Sequence, residues 1–213
     1  MSCPFDLDHY RELLAAAELG CYQFADFSRD PGPGDLILRH DVDLSLEAAV
    51  ELAELEGDAG VRATYFVMTE SAFYNLASPA GEATIATLRS LGHAVGLHAV
   101  YPRAELDERF DPVVAWHNPD PEYMSAPIPV AVNAMEPRFF SPEHYRSDSN
   151  QNWRSGCPHE ELAAGAFEWL QLLTHPEIWV YPGGTMRETM LAMVDAKREL
   201  ALAQLTEDRI DLS

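Results

Sequence analysis

Residues 36–43 decide the fold, because a short apolar run leads directly into charged side chains. The segment reads Leu36-Ile37-Leu38-Arg39-His40 and continues as Asp41-Val42-Asp43. A short apolar run that ends in charge predicts a buried strand over residues 36–40. Apolar residues then recur at helical spacing over 44–56, and 61–68 is rich in β-branched and aromatic residues. Strand, helix and strand in this order are typical of a parallel α/β sheet.

The same alternation extends along the rest of the chain. One helix is predicted from the cap residue Asp6 to about Leu19, where Gly20 ends it, and another begins after Ser78-Pro79 and ends at Gly92. Two more helices are predicted, over 160–169 and after the capping box Thr185-Met186-Arg187-Glu188. Further strands are predicted over 94–98, 113–117 and 170–174. We therefore expect one α/β domain over residues 1–213, a distorted (β/α) barrel with long functional loops in the Pro-rich stretch 118–158.

The composition excludes several classes of partner. The chain of 213 residues carries 14 Lys plus Arg and 35 Asp plus Glu, which gives a formal charge of −21. Such a chain repels polyanions at long range, so we expect neither nucleic acid nor an anionic membrane surface as a partner. No stretch resembles a secretory signal or approaches the roughly 20 apolar residues that span a bilayer, which predicts a cytoplasmic protein.

The cysteines give no sign of a disulfide framework. Cys3, Cys21 and Cys157 are odd in number and form no C-x-x-C pair. We expect reduced thiols, and the cysteine spacing gives no zinc-finger signal.

Half of the eight histidines fall at the ends of apolar runs, namely His40, His98, His117 and His175. Because the carboxyl ends of parallel barrel strands converge on one mouth, we expect these imidazoles around one cleft. Asp41 and Asp43 point to the same side of an extended chain. These groups suit metal-assisted hydrolysis, with a carboxylate as base. Two plainer interpretations stay open: the Asp pair caps the following helix, and each histidine is a structural residue.

Three strings of the sequence carry a resemblance to a known family. They read Leu38-Arg39-His40-Asp41-Val42-Asp43, Ala63-Thr64-Tyr65-Phe66-Val67 and Leu91-Gly92-His93-Ala94-Val95-Gly96-Leu97-His98. Together they resemble the polysaccharide deacetylase family, carbohydrate esterase type, in its divergent branch with an R-H-D-V-D start. Weaker matches follow at Trp116-His117-Asn118-Pro119, Tyr145-Arg146-Ser147-Asp148-Ser149 and Leu172-Leu173-Thr174-His175-Pro176, so the resemblance covers about residues 36–180.

The resemblance implies a metal-dependent deacylase on a distorted (β/α) barrel of the glycoside hydrolase/deacetylase type. Members of the family use zinc or a related divalent ion and remove acetyl or other acyl groups from amino sugars. By position, Asp41 is implied to be the catalytic base and His175 the general acid, while Asp43 and His98 are implied to be metal ligands. We accordingly expect a small-molecule or oligosaccharide substrate and zinc as the cofactor.

This chain departs from the family pattern at two places. The family's second motif usually has another histidine four residues after the first, where this chain has Pro102. Because catalytic zinc normally has three protein ligands, we predict that His117, at the end of the next strand, fills the vacancy. His40 points away from the side of Asp41 and Asp43 in a regular strand, so we expect it only to support the site.

The second departure concerns the family's third motif, which has an arginine ahead of a Pro-Tyr pair. Asn118-Pro119-Asp120-Pro121 does not reproduce it. An ion pair between Asp148 and Arg154 is a candidate support for the base, and an ordinary loop salt bridge is the alternative interpretation of the same two residues.

A second class of function stays open. In it the chain is a barrel that has lost catalysis and serves as a binding or assembly component of a glycan pathway, and Pro102 is the feature that favours it. The remaining histidines are predicted to be structural or solvated: His9, His93, His144 and His159.

Overall fold

The computed structural model describes residues 3–210 of the chain. Its strands are β1 (Gln23–Ala25), β2 (Asp35–Val42), β3 (Thr64–Val67), β4 (Ala94–Ala99), β5 (Val113–Trp116), β6 (Val132–Asn133), β7 (Tyr145–Ser147) and β8 (Trp169–Thr174). Its helices are α1 (Leu7–Leu19), α2 (Leu46–Asp58), α3 (Pro79–Ser90), α4 (His159–Ala163), α5 (Pro176–Val180) and α6 (Met186–Glu207).

The eight strands form one parallel sheet with the order β6-β5-β4-β3-β2-β8-β7, and β1 pairs with the first residues of β2. This order follows the chain from β2 to β6 and returns through β7 and β8 to β2, as the strands of a (β/α) barrel do. Within the described residues β6 and β7 do not pair with each other, so the sheet curls into an open half-barrel. The predicted single α/β fold with parallel strands is confirmed.

Strand β2 lies at the centre of the sheet and is buried along all of its length. Its residues 35–40 pair with 169–174 of β8, and its residues 39–42 pair with 64–67 of β3. Strands β3, β4 and β5 continue the sheet in order. Because all these pairs are parallel, the carboxyl ends of β2, β4, β5 and β8 lie at the same edge.

Side chains of β2 alternate between two apolar clusters. Leu36 and Leu38 belong to the large core, which includes apolar residues of the helices, whereas Ile37 packs in a smaller cluster with Phe66 and Phe139. By the same alternation, the odd-numbered residues that follow Ile37 share its face of the sheet. That face carries the polar residues of the candidate site.

Side-chain caps begin four helices, three of them at the predicted residues Asp6, Ser78 and Thr185, whereas the cap at Ser45 was not predicted. Asp6 accepts a hydrogen bond from the His9 amide, Ser45 from Ala48, Ser78 from Gly81 and Thr185 from Glu188. Each cap satisfies a backbone N–H that the first helical turn leaves without a partner. The predicted ends of α1 agree with the structure.

Two sequence predictions are corrected. The helix predicted over 160–169 ends at Ala163, because Gly165 adopts a left-handed backbone with φ +62° and Trp169 instead opens β8 opposite Asp35. The stretch 118–158, predicted as loops, contains the short strands β6 and β7 and one turn of 3-10 helix.

The longest helix, α6, carries charged residues along much of its 22 positions. Between residues 3 and 210 no helix combines the length and the apolar character needed to cross a membrane.

Candidate functional site

Side chains from four strands meet at the carboxyl edge of the half-barrel. Asp41 lies in β2 and Asp43 follows it, His98 lies in β4, His117 follows β5, and His175 follows β8. All five were predicted from the sequence to surround one cleft, and the structure brings them together. The distances among them divide the site into a group of metal-type ligands and two flanking titratable groups.

Asp43, His98 and His117 form the group of potential metal ligands. The Oδ1 atom of Asp43 lies 3.0 Å from His98 Nε2 and 3.1 Å from His117 Nδ1, and these two nitrogens are 3.1 Å apart. Ligand atoms about 2.0–2.1 Å from a tetrahedral zinc ion lie roughly 3.3 Å from one another. The spacing of the three atoms is therefore close to that of one face of a zinc site.

The hydrogen bonding of His98 fixes which of its nitrogens faces the group. Nδ1 lies 3.0 Å from the carbonyl oxygen of Ala115, which can only accept, so Nδ1 carries the proton. In the neutral imidazole Nε2 then presents a lone pair to Asp43 and His117. Electron-rich atoms this close repel one another unless a proton or a cation lies among them. One carboxylate oxygen and two imidazole nitrogens are a donor set that suits zinc or a similar divalent ion.

Asp43 is ionised at neutral pH. Burial alone would raise the pKa of its carboxyl group, but the imidazoles of His117 and His98 that face it and the charge of His175 hold the pKa of Asp43 well below its ordinary value. A carboxylate must be deprotonated to bind a metal ion. The environment of Asp43 therefore matches the role of a ligand.

Asp41 forms a buried ion pair with Arg39 on the same face of β2. Arg39 Nε donates to Asp41 Oδ1 at 2.8 Å, and Arg39 Nη2 donates to Oδ2 at 2.7 Å. Burial opposes ionisation of Asp41, but the charge of Arg39 outweighs it and lowers the pKa of the Asp41 carboxyl group. Asp41 Oδ2 lies 3.7 Å from His98 Nε2, so this carboxylate borders the three ligand atoms.

Asp148 holds His175 beside the ligand group. The Nδ1 atom of His175 lies 2.6 Å from Asp148 Oδ1, and Asp148 Oδ2 accepts from the His175 amide at 3.0 Å and from Trp179 Nε1 at 2.7 Å. Burial lowers the pKa of His175, but the charge and hydrogen bond of Asp148 reverse this and raise that pKa to about 10. The free Nε2 atom lies 4.0 Å from Asp43 Oδ2. A protonated imidazole therefore lies beside the ligand group, as the Asp41 carboxylate does.

The structure corrects the predicted pair of Asp148 and Arg154. Asp148 is fully buried against His175 and Trp179, while Arg154 is exposed and makes no ion pair within residues 3–210. Trp153, the residue before Arg154 in the sequence, is buried, and the Arg154 side chain lies in solvent. The cation beside the candidate base is Arg39.

His40 lies behind the site, on the opposite face of β2, as predicted. Its Nδ1 atom is 2.7 Å from Thr174 Oγ1 and its Nε2 atom is 2.8 Å from Glu56 Oε1. Glu56 also accepts hydrogen bonds from Tyr10 and Tyr65. His40 therefore joins α2 to the sheet and does not contact the candidate ligands.

Sequence reasoning missed Arg39 and Glu177. Arg39 was detectable, because it stands two residues before Asp41 and so shares its face. Glu177, in the short helix α5, is buried, and burial raises the pKa of its carboxyl group to about 8. Only the packing of α5 against the strands shows that this carboxyl group lies near His175 and Asp43.

Two features of the surface adjoin the ligand group. A small cleft of about 70 Å³ is lined by His98 together with Met68, Leu97 and Arg103. The rings of Tyr101 and Tyr123, in the loops after β4 and β5, stack with centroids 4.4 Å apart, and both are half-buried. Cleft and ring pair lie at the same edge of the sheet as the candidate site.

Comparisons of the chain with protein-family models, curated proteins and solved structures found no match.

Proposed function

We propose that this chain is a metal-dependent hydrolase that removes an acyl group from an amino sugar or a related N-acyl compound. The observation that carries the proposal is the group of Asp43, His98 and His117 between an ionised Asp41 and a protonated His175. A base on one side and an acid on the other are what amide hydrolysis requires. The resemblance to polysaccharide deacetylases implies these roles for Asp41, Asp43, His98 and His175. His117 would supply the third ligand, and we propose that the chain belongs to that family and has its type of barrel.

Asp43, His98 and His117 would hold the metal ion, with zinc as the proposed ion. When bound, such an ion polarises the acyl carbonyl and lowers the pKa of water. Two observations support a metal ion at these residues. The three ligand atoms are of the types that zinc binds, and the hydrogen bond from His98 Nδ1 to the Ala115 carbonyl leaves the lone pair of His98 Nε2 directed toward the other two ligands.

Asp41 would accept a proton from the attacking water. Its pairing with Arg39 keeps it ionised, and it lies 3.7 Å from His98, beside the ligand group. Arg39 also takes the place of the arginine that the family carries in its third motif. Asp41 is thus available as an acceptor at neutral pH, although the same pairing makes it a weaker base than an isolated carboxylate.

His175 would donate a proton to the leaving amine. Asp148 binds its Nδ1 side and leaves the Nε2 proton directed at the ligand group. With a pKa of about 10, His175 is protonated at neutral pH. An amine leaves readily only when it is protonated, so this proton completes cleavage of the C–N bond.

The substrate class follows from the surroundings of the site. The cleft beside His98 accommodates a small acyl group, and a sugar would pack against the outer side of the stacked pair of Tyr101 and Tyr123. The charge of −21 disfavours polyanionic substrates. We propose a neutral small molecule or oligosaccharide, in the cytoplasm.

The alternative, a barrel without catalysis, was favoured by Pro102 in the place of a ligand histidine. His117 now offers a third ligand atom 3.1 Å from Asp43, which removes the reason for preferring that alternative. We therefore retain the enzyme as the proposal.

The test measures acetate and formate release from N-acylated amino sugars by the zinc-loaded chain. We expect Asp41→Asn and His175→Gln each to lower kcat by roughly 10²–10⁴-fold, as losses of a general base or acid do. His98→Gln should lower both activity and bound zinc. His144→Gln is the matched control, because His144 stacks on Trp169 and binds Ser141 away from the site. An unchanged rate in Asp41→Asn, or unchanged zinc in His98→Gln, contradicts the proposal.

A further inference from the structure

A second group of metal-type ligands lies at the start of α1. Cys3 precedes the helix, His9 lies in its first turns, and Cys157 precedes α4. Cys157 Sγ lies 3.1 Å from Cys3 Sγ and 3.2 Å from His9 Nε2. Both cysteines are free thiols in the structure and half-buried. Two sulfur atoms and one imidazole nitrogen have thus been brought together from segments of the chain that are 154 residues apart.

The orientation of His9 suits metal binding. Its Nδ1 atom lies 2.8 Å from Glu12 Oε2, one turn along α1. A carboxylate accepts the Nδ1 proton, so Nε2 is left with its lone pair toward Cys157. Ligand histidines commonly donate their second N–H to a carboxylate in this way, which fixes the ring and makes the other nitrogen a better ligand.

Trp153 supplies a second, independent indication. Its side chain is 7 % exposed, and its indole Nε1 has no hydrogen-bond partner within the described residues. The indole N–H is near enough to the Cys3 sulfur to favour its thiolate, although the two atoms do not meet the geometry of an ordinary hydrogen bond, and Cys3, Trp153 and Cys157 border the same cleft. A buried N–H group without an acceptor is uncommon. A thiolate sulfur on a metal ion is a stronger acceptor than a thiol and would satisfy it.

We propose that Cys3, His9 and Cys157 bind a second, thiophilic divalent cation, with Zn²⁺ as the natural ion. Two thiolates and one imidazole are soft ligands of the kind that select zinc over magnesium or calcium. The thiols lose their protons to solvent as the ion binds.

The site fastens the segment before α1 to the loop before α4. The His9 ring also stacks on Trp179, with centroids 6.3 Å apart, and Trp179 donates to Asp148. A cation on His9 therefore adds rigidity to the residues that hold His175. The proposal itself does not depend on the hydrolase function, since none of its ligands belongs to the group around Asp43.

The test loads the full-length, metal-free, reduced chain with Co²⁺ and records the absorption spectrum together with the metal content. Thiolate-to-cobalt charge transfer gives a near-ultraviolet band that carboxylate and imidazole ligands do not produce. We expect this band in the wild type and in Asp43→Asn, and its loss in Cys157→Ser and Cys3→Ser. Cys21→Ser is the matched control, because Cys21 is exposed and lies outside the group.

Metal content separates this proposal from the proposed function. Two equivalents in the wild type, falling to one in either Asp43→Asn or Cys157→Ser, support both sites. One equivalent of metal per chain together with the thiolate band supports the cysteine site and contradicts the catalytic metal. One equivalent of metal without the band supports the catalytic metal and contradicts the cysteine site. A band that survives Cys157→Ser, or a fully loaded wild type without it, overturns the cysteine site. So does recovery of Cys3 and Cys157 from cells as a disulfide.

Discussion

Arg39→Met removes the cation that neutralises Asp41 and leaves an apolar side chain of similar length. Arg39 is 3 % exposed and Asp41 is 4 % exposed, and two hydrogen bonds of 2.8 and 2.7 Å join them. Removing one partner of a buried ion pair costs about 3–5 kcal/mol, because the other charge stays buried without compensation. We therefore expect the free energy of unfolding to fall by about 3–5 kcal/mol. An exposed pair would contribute only about 0–1 kcal/mol.

Urea unfolding followed by tryptophan fluorescence measures this loss. The double variant Arg39→Met with Asp41→Asn removes both charges, so it should be more stable than Arg39→Met alone, with a coupling energy on the order of 2 kcal/mol in the cycle. Arg89→Met is the control, because its pair with Asp111 is partly exposed. If the free energy of unfolding falls by less than about 1 kcal/mol in Arg39→Met, or if the double variant is no more stable than Arg39→Met, then Arg39 does not stabilise the buried charge of Asp41.

Three further predictions concern the surroundings of the site. Asp148→Asn should shift the imidazole titration of His175, followed by NMR, from about 10 down toward the ordinary pKa near 6.5, and an unchanged titration would contradict the pairing. The pKa of His175 is higher in the folded protein than in the unfolded one, so its protonation contributes fully to the free energy of unfolding below about pH 6.5, and this contribution is lost as the pH rises to about 10. In urea unfolding, Asp148→Asn should therefore show a smaller loss of stability over this pH range than the wild type. Glu56→Gln should lower the free energy of unfolding by about 1.5–3 kcal/mol, because two tyrosine hydroxyls lose a charged acceptor, and no change would show that they find other partners. Gly96→Ala places a Cβ 2.5 Å from the ring of Phe66 and should cost about 1–3 kcal/mol, whereas a neutral effect would mean that the ring has room to move.

The central strand was predictable in position but not in length. The apolar run 36–40 predicted β2, yet the strand continues to Val42. A charged residue in a sequence ordinarily marks the end of a buried strand, because an unpaired buried charge is costly. Here Arg39 and Asp41 neutralise each other two residues apart on one face, so the strand remains buried beyond the first charge. The alternation of β-strand side chains was enough to predict that pair.

The cluster of histidines was predictable because parallel strands share an edge. His117 was expected beside His98 from the neighbouring strand, and the two rings are in contact. The partner of His175 was not predictable, because Asp148 stands after a three-residue strand in an irregular stretch and its direction depends on packing against Trp179. The meeting of Cys3 and Cys157 likewise depends on how the segment before α1 packs against the loop before α4, which no local sequence pattern predicts.

Anomalous X-ray scattering from crystals of the zinc-loaded chain tests the metal centre most directly. We predict a zinc peak bonded at about 2.0–2.2 Å to Asp43 Oδ1, His98 Nε2 and His117 Nδ1, with Asp41 and His175 beside it but not bonded to it. A fully zinc-loaded crystal with no peak among these three atoms, or a zinc ion that leaves His117 unbound, would contradict the proposed hydrolase site.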